Sequence, residues 1–177
     1  FGGVQLAVSI TGRADSSFIV AGLVNNQIVH RHYTHLGVAI TAAIVVSTTN
    51  TDAIDGPAQI SLTVLIGGGY VVGWSATGDQ DGDGLSVLIR VYDSAGNPLG
   101  DAVVVSEHGT GDQLALRLAA LGNGGFTAVW QSQAAVVLNA TVDNDGWAVV
   151  ARQFDANGQP FSLEYSISLD WQGNQYL

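Results

Sequence analysis

The sharpest chemical feature of the sequence is a run of acidic residues at alternate positions, Asp79-Gln80-Asp81-Gly82-Asp83-Gly84-Leu85. Asp79, Asp81 and Asp83 with the following glycine match the first half of an EF-hand-type loop. Ca²⁺ prefers about six to eight hard oxygen ligands, and a tight turn brings carboxylates at this spacing to one point. The sequence therefore predicts a calcium site formed by Asp79, Asp81, Asp83 and the carbonyl of Leu85.

The bidentate glutamate that completes such a loop is missing, because Arg90 stands at its position. Waters or residues from elsewhere would fill the shell, so we expect weak affinity, roughly 10⁻⁴–10⁻³ M. The alternative is a solvated turn in which Asp and Gly supply bends and local hydrogen bonds. Repulsion between three crowded carboxylates favours the cation. A shortened loop with Asp143 and Asp145 is a weaker candidate for the same ion.

His30, His32 and His35 form a second group of metal-ligating type. On a strand, His30 and His32 share one face, and two imidazoles so placed can hold Zn²⁺ or Cu²⁺. His35 falls in the turn that follows. The alternative is a strand face near an edge or an interface, since the other repeats have no such histidines.

No catalytic signature is present, so we expect a protein that is not an enzyme. The serine-hydrolase elbow, the His-Glu-x-x-His zinc motif and the phosphate-binding loop are all missing from the sequence. Glu107 and Glu164 stand at unrelated positions of the repeats described next, which gives no support to a paired-carboxylate glycosidase.

An internal repeat organises the elements that must position these residues. Two motifs recur, and a fainter copy of each opens the chain: Gly68-Gly69-Tyr70-Val71-Val72-Gly73-Trp74 as Gly124-Gly125-Phe126-Thr127-Ala128-Val129-Trp130, and Arg90-Val91-Tyr92-Asp93 as Arg152-Gln153-Phe154-Asp155. The equivalent Trp74 and Trp130 predict core packing. Arg90 and Arg152 predict a structural hydrogen bond or an ion pair to a turn aspartate.

Each repeat is typical of four short strands, rich in β-branched and aromatic residues and separated by Gly, Asn and Asp. The predicted strands are 58–65, 70–76, 85–92 and 102–106, then 113–121, 126–133, 147–154 and 161–168. We therefore predict one all-β domain over 1–177 with three four-stranded antiparallel repeats that resemble propeller blades. The repeats span approximately 4–52, 57–110 and 111–168, and 169–177 starts a further repeat or is an exchanged strand. A twisted β-sandwich is the alternative.

The composition limits the partners and the location of the chain. Lys and Arg number 5 against 15 Asp and Glu, so the formal net charge is −10 at pH 7. No cationic surface is available for phosphates, so neither nucleic acid nor an anionic membrane surface is an expected partner. The longest apolar run, Leu36 to Val46, is too short to span a bilayer, so membrane insertion is not expected. An acidic, glycine-rich sequence without Lys or Met indicates a secreted or cell-surface bacterial protein.

The order of the motifs, Gly-Gly-aromatic and Trp, then the Asp/Gly-rich loop, then Arg-x-aromatic-Asp-x-x-Gly-x-Pro, resembles repeats of large secreted bacterial proteins. These are the calcium-dependent, adhesin-like surface proteins of the RTX type. The matching stretches are Gly68 to Gly100 and Gly124 to Pro160. The resemblance implies a secreted, calcium-supported, blade-like repeat with a structural or adhesive role.

These observations predict a non-enzymatic, calcium-stabilised structural or adhesive protein. It would self-assemble through exposed strand edges into a ring or filament, as a homo-oligomer or polymer. Gln175, Tyr176 and Leu177 are the candidate strand that pairs with another copy. The alternative is a lectin-like, carbohydrate-binding module, with surface glycans as partners.

Overall fold

The computed structural model describes residues 5–25, 27–47, 59–77, 84–133, 137–138, 141–142 and 146–167. The regular structure of these residues is entirely β-strand. In chain order the strands are β1 (Gln5–Gly12), β2 (Phe18–Val24), β3 (Gln27–Tyr33), β4 (Ile44–Val45), β5 (Ile60–Val64), β6 (Tyr70–Thr77), β7 (Leu85–Tyr92), β8 (Val103–Val104), β9 (Gln113–Ala120), β10 (Phe126–Ser132), β11 (Val137–Leu138), β12 (Thr141–Val142), β13 (Ala148–Phe154) and β14 (Tyr165–Ser166).

The strands form three four-stranded antiparallel sheets, here called sheets 1, 2 and 3. Their strand orders are β1-β2-β3-β4, β5-β6-β7-β8 and β9-β10-β13-β14, and β11 and β12 make a separate two-stranded hairpin. All of these pairings are antiparallel. The predicted fold class of three four-stranded antiparallel repeats is therefore confirmed.

The second glycine of each Gly-Gly pair is explained by a close approach of two turns. A Cβ atom on Gly69 would lie 2.8 Å from the carbonyl oxygen of Tyr92, and one on Gly125 would collide with the carbonyl of Phe154. The first glycine of each pair, Gly68 or Gly124, has a positive φ of 82° or 91°. Only glycine tolerates the close approach at the second position and the positive φ at the first without strain. The glycine pairs therefore define where β6 and β10 begin.

The core lies between the sheets, in two layers. The 1–2 core combines Ile19, Ala21, Ile28 and Val46 of sheet 1 with Ile60, Leu62, Tyr70, Val72, Trp74, Ala76, Leu88 and Tyr92 of sheet 2. The 2–3 core combines Leu65, Val71, Val87, Ile89, Val91 and Val105 with Leu116, Phe126, Ala128, Trp130, Ala148, Val150 and Phe154. Side chains alternate along a strand, so sheet 2 supplies one face to each core. Trp74 and Trp130 are buried in equivalent places.

The outermost strands are shorter than the sequence predicts. β8 covers two residues where 102–106 was expected, and β14 covers two where 161–168 was expected. Before each of them the chain meets the neighbouring strand at an isolated bridge, Tyr92 with Pro98 and Phe154 with Pro160, and at a hydrogen bond from the residue after the proline. β4 is equally short although Ala39 stands at the corresponding bridge, so proline is not what limits these strands. No helix that could cross a membrane occurs in the described part of the chain.

Candidate functional site

Most of the predicted calcium ligands fall outside the described residues. This holds for Asp79, Asp81, Asp83, Asp143 and Asp145, and also for the predicted assembly strand Gln175, Tyr176 and Leu177. The calcium site therefore stays a prediction.

At the described end of the main loop, the Leu85 N–H donates a hydrogen bond of 2.9 Å to Asp112 Oδ1. Asp112 precedes β9, and a Cβ on Gly84 would lie 2.6 Å from its carboxylate. Sequence analysis missed Asp112 because nothing in its local pattern marks it.

The histidines of β3 lie in the contact between sheets 1 and 2. His30 is 0% exposed and His32 is 2% exposed. The Tyr70 hydroxyl joins them, at 3.1 Å from His32 Nε2 and 3.3 Å from His30 Nε2. Both imidazoles are thus engaged in packing and hydrogen bonding between sheets, and His35 is exposed in the next turn. The positions that correspond to His30 and His32 in sheet 2 are the core residues Ile89 and Val91.

Burial keeps this cluster uncharged at neutral pH. It lowers the pKa of His30 to about 4, and the charge of His32 adds to the effect. Burial, followed by the Arg13 guanidinium, also lowers the pKa of His32. Desolvation raises the pKa of Tyr92 to about 12 and raises that of Tyr70 further.

Sheets 2 and 3 are joined by an ionic group that sequence analysis did not find. His108 Nδ1 lies 2.9 Å from Glu164 Oε2, and the Glu107 N–H donates to the other oxygen of Glu164. Arg152 Nη2 forms an ion pair with Glu107. The two glutamates belong to different sheets, since Glu107 follows β8 and Glu164 precedes β14. Their spacing in the sequence therefore does not predict that they lie in contact.

The ligand atoms of Glu107, His108 and Glu164 all lie within 4.8 Å of one another, which is close enough to share a metal ion. Glu164 is only 4% exposed. The Arg152 guanidinium already supplies positive charge to Glu107 and opposes a cation at the same place. The arrangement is best suited to linking the two sheets.

Equivalent arginines reach from each sheet to the sheet before it. Arg90 Nη1 donates to the Val46 carbonyl at 3.1 Å, and Arg152 Nη1 donates to the Val105 carbonyl at the same distance. Each Nε also donates to a carbonyl of its own sheet, Gly100 or Ser162. The predicted structural hydrogen bond is present, with backbone carbonyls as its main acceptors. A turn aspartate, Asp101, is 4.0 Å from Arg90.

A groove follows the turn ends of sheets 2 and 3. It consists of two adjoining cavities of about 390 and 270 Å³ that share Gly124, Ala156 and Asn157. Asp155 and Phe161 line the larger cavity. Phe161 is 51% exposed, as is Leu99 at the equivalent place in sheet 2, whereas Phe126 and Phe154 are completely buried.

Polar groups with fixed orientation surround this groove. Asp155 Oδ1 accepts hydrogen bonds from the N–H groups of Asn157 and Gln159, at 2.8 and 2.9 Å. Asp93, on the rim of the smaller cavity, accepts the equivalent two hydrogen bonds from the N–H groups of Ala95 and Asn97. The side-chain hydrogen bond from Asn97, followed by backbone hydrogen bonds, lowers the pKa of Asp93. The repeated Asp-x-x-Gly turn signalled these aspartates in the sequence, whereas the exposure of Phe161 had no signal.

Comparisons with known proteins give structural neighbours only. No family model matches the chain, and no curated protein matches it. A crystal structure of a thermostable family-43 glycoside hydrolase is similar, with a TM-score of 0.50, 12% identity, and coverage of 100% of this chain and 63% of that one. An endo-1,4-beta-xylanase from Bacteroides thetaiotaomicron gives a TM-score of 0.49, 16% identity, and coverage of 93% and 60%. The chain thus spans less than two thirds of the length of either neighbour.

What the chain shares with the family-43 glycoside hydrolase is its β-rich fold. This finding corrects the function predicted from the sequence: the interpretation as a structural or adhesive protein that assembles through exposed strand edges is wrong, and the lectin-like, carbohydrate-binding alternative agrees better with the neighbour. The prediction that the chain is not an enzyme is neither confirmed nor overturned at such low identity. The resemblance to RTX-type repeats, the secreted location and the binding of calcium remain predictions.

Proposed function

We propose that the chain binds carbohydrate in the groove at the turn ends of sheets 2 and 3. The observation that carries the proposal is the half-exposed ring of Phe161 beside Asp155 and Asn157. The face of an aromatic ring packs well against the apolar face of a pyranose. Carboxylate and amide groups then bind the hydroxyls around it. A volume of about 390 Å³ lies within the usual range for ligand pockets, roughly 300–1,000 Å³.

Two further observations support this choice. The neighbour that shares the fold is named as a glycoside hydrolase, and its substrates are carbohydrates by that name. The turn hydrogen bonds hold the Asp155 carboxylate in one orientation, which lowers the entropy lost when a ligand binds. With a net charge of −10, the chain repels acidic glycans, so the ligand class is a neutral oligosaccharide.

The proposal is binding without hydrolysis. In the described part of the chain, Glu107 and Glu164 lie close enough together to invite comparison with the carboxylate pair of a glycosidase. Neither of them lines the groove, and Glu164 is buried in its contacts with His108 and Glu107. A catalytic acid and base need access to the glycosidic bond, which these two groups do not offer.

A glycan array of neutral oligosaccharides, followed by calorimetry with the best ligand, tests the proposal. Phe161→Ala should weaken binding by roughly fivefold, because ring stacking contributes about 1 kcal/mol. Leu163→Ala is the matched control, since Leu163 is 70% exposed two residues away and lies outside the groove. Absence of binding across the array, or equal affinity of the Phe161→Ala and wild-type proteins, would reject the groove as a sugar site.

A further inference from the structure

Every sheet carries the same pair of stacked aromatic rings on one face, which we call its front face. The pairs are Phe18 with Tyr33, Tyr70 with Tyr92, and Phe126 with Phe154, at centroid distances of 5.4, 5.1 and 5.2 Å. Each pair joins the second and third strands directly across the ladder. Arginines accompany the rings, with Arg31 6.0 Å from the Tyr33 ring and Arg152 5.7 Å from that of Phe154.

The front faces of sheets 2 and 3 are covered by the sheet before them. Tyr70, Tyr92, Phe126 and Phe154 are at most 1% exposed, because the back face of sheet 1 or sheet 2 packs on them. Sheet 1 has no preceding sheet in the described part of the chain. Its front face is only half-buried at Phe18, Val20 and Tyr33.

Arg31 makes one of the two hydrogen bonds that Arg90 and Arg152 make to backbone carbonyls. Its Nε donates 2.7 Å to the Thr41 carbonyl of its own sheet, as the other two donate to Gly100 and Ser162. In Arg90 and Arg152 the Nη1 atom reaches a carbonyl of the preceding sheet. For Arg31, that acceptor would have to come from outside the three sheets.

The other end of the chain presents an acceptor of the right kind. Val46 and Val105, the two acceptor residues, each donate their own N–H to the third strand of their sheet, at Ile28 and Val87. Ile167 does the same with Val149, so it holds the equivalent position in sheet 3. The back face of sheet 3 is half-buried at Thr127, Val129 and Gln153.

We propose that the front face of sheet 1 binds the back face of sheet 3 of a second copy of this chain, with Arg31 donating to the carbonyl of the partner's Ile167. The contact continues the two interfaces already present within one chain. When both copies make this contact, the two chains form one closed arrangement of six sheets. Propellers usually contain about four to eight blades, so this number is a usual one. It joins sheet faces and needs no pairing of strand edges.

The first test is the mass of the wild-type chain by sedimentation velocity between roughly 1 and 200 µM, a span that covers weak and strong association. A species of about twice 18.3 kDa is expected. Val20→Glu on the front face should weaken dimerisation at least roughly tenfold, because the carboxylate would have to be desolvated and would pair with Arg31, directly across the ladder, in place of the partner's carbonyl. Leu36→Glu is the control, since Leu36 is 77% exposed in a turn away from this face.

A second variant, Val129→Glu, distinguishes front-to-back from front-to-front association. Only the front-to-back contact uses Val129, so this variant should also be monomeric, and mixing it with Val20→Glu should restore a heterodimer through the one intact pair of faces. A monomeric wild-type chain at 200 µM, or a Val129→Glu variant that still dimerises normally, overturns the proposal. Circular dichroism shows that each variant is folded before its mass is compared.

Discussion

The pair of buried imidazoles, His30 and His32, is the residue-level feature with the largest expected effect on stability. Both are nearly inaccessible and share the Tyr70 hydroxyl as a partner. At the corresponding place in the 2–3 core, Ile89, Val91 and Phe126 do the same packing without polar atoms. The histidines therefore make the 1–2 core sensitive to pH.

We expect stability to fall on mild acidification. In the folded chain the pKa of His30 is about 4, whereas it is near 6.5 when unfolded, so protons bind preferentially to the unfolded state between these values. Stability is complete above pH 6.5 and is lost as the pH falls towards 4, by about 3 kcal/mol from His30. The lowered pKa of His32 acts in the same direction. Urea unfolding at several pH values measures this slope.

The control for this prediction comes from the other core. A variant with His30→Ile, His32→Val, Tyr70→Phe and Tyr92→Phe imports the residues found between sheets 2 and 3, and its stability should vary much less between pH 6.5 and 4. His35→Ala removes an exposed histidine and should leave the slope as it is. If the four-residue variant is as acid-sensitive as the wild type, the buried imidazoles are not the cause.

Residue roles could be read from the sequence where the cause is local. The first glycine of each Gly-Gly pair and the Asp-x-x-Gly turns follow from positive φ angles and from hydrogen bonds within a few residues. The meeting of Glu107 with Glu164, and of His32 with Tyr70, depends on how sheets pack and has no local signature. The exposure of Phe161 likewise has no local signature in the sequence.

At the scale of elements, the sequence predicted the inner strands well and the outer strands poorly. β6 and β7 were expected at 70–76 and 85–92 and are found at Tyr70–Thr77 and Leu85–Tyr92, since each is a β-branched run between turn residues. β8 and β14 have similar composition but pair along only two residues. Their length depends on how the chain packs along the partner strand, which a window of sequence does not show; β4 is equally short without a proline at its bridge.

The arginine contacts between sheets lead to a prediction at this scale. Arg152→Lys should destabilise the chain by about 1–2 kcal/mol, because the three N–H groups of an ammonium share one nitrogen and cannot reach the separated acceptors Val105, Ser162 and Glu107 as the three guanidinium nitrogens do. Arg117→Lys is the control, since Arg117 is exposed on β9 and bonds only through Nη1, to its neighbour Leu116 and to the Gln59 side chain at the surface, and it should change stability by less than about 0.5 kcal/mol. Equal urea midpoints for the two variants would show that the contacts between sheets add no stability.

On the scale of the whole molecule, the three sheets form one continuous stack through sheet 2. Val71 and Ile89 of sheet 2 are buried against sheet 3, while Val72 and Leu88 are buried against sheet 1. The two outer sheets each bury one face in this way. Stability should therefore be highest in the middle sheet and decrease towards both ends.

Native-state hydrogen exchange on dilute protein tests this gradient. The second strands β2, β6 and β10 are matched, because each is paired on both edges and differs mainly in how its sheet is covered. We expect the slowest amides of β6 to exchange at least roughly tenfold more slowly than those of β2 or β10, since opening sheet 2 disrupts both cores while opening an end sheet disrupts one. Slower exchange in β2 than in β6 would mean that sheet 1 is stabilised independently of the stack. If the proposed dimer forms, raising the protein concentration should slow amide exchange in β2 and β10. The difference between their exchange rates and that of β6 should then become smaller.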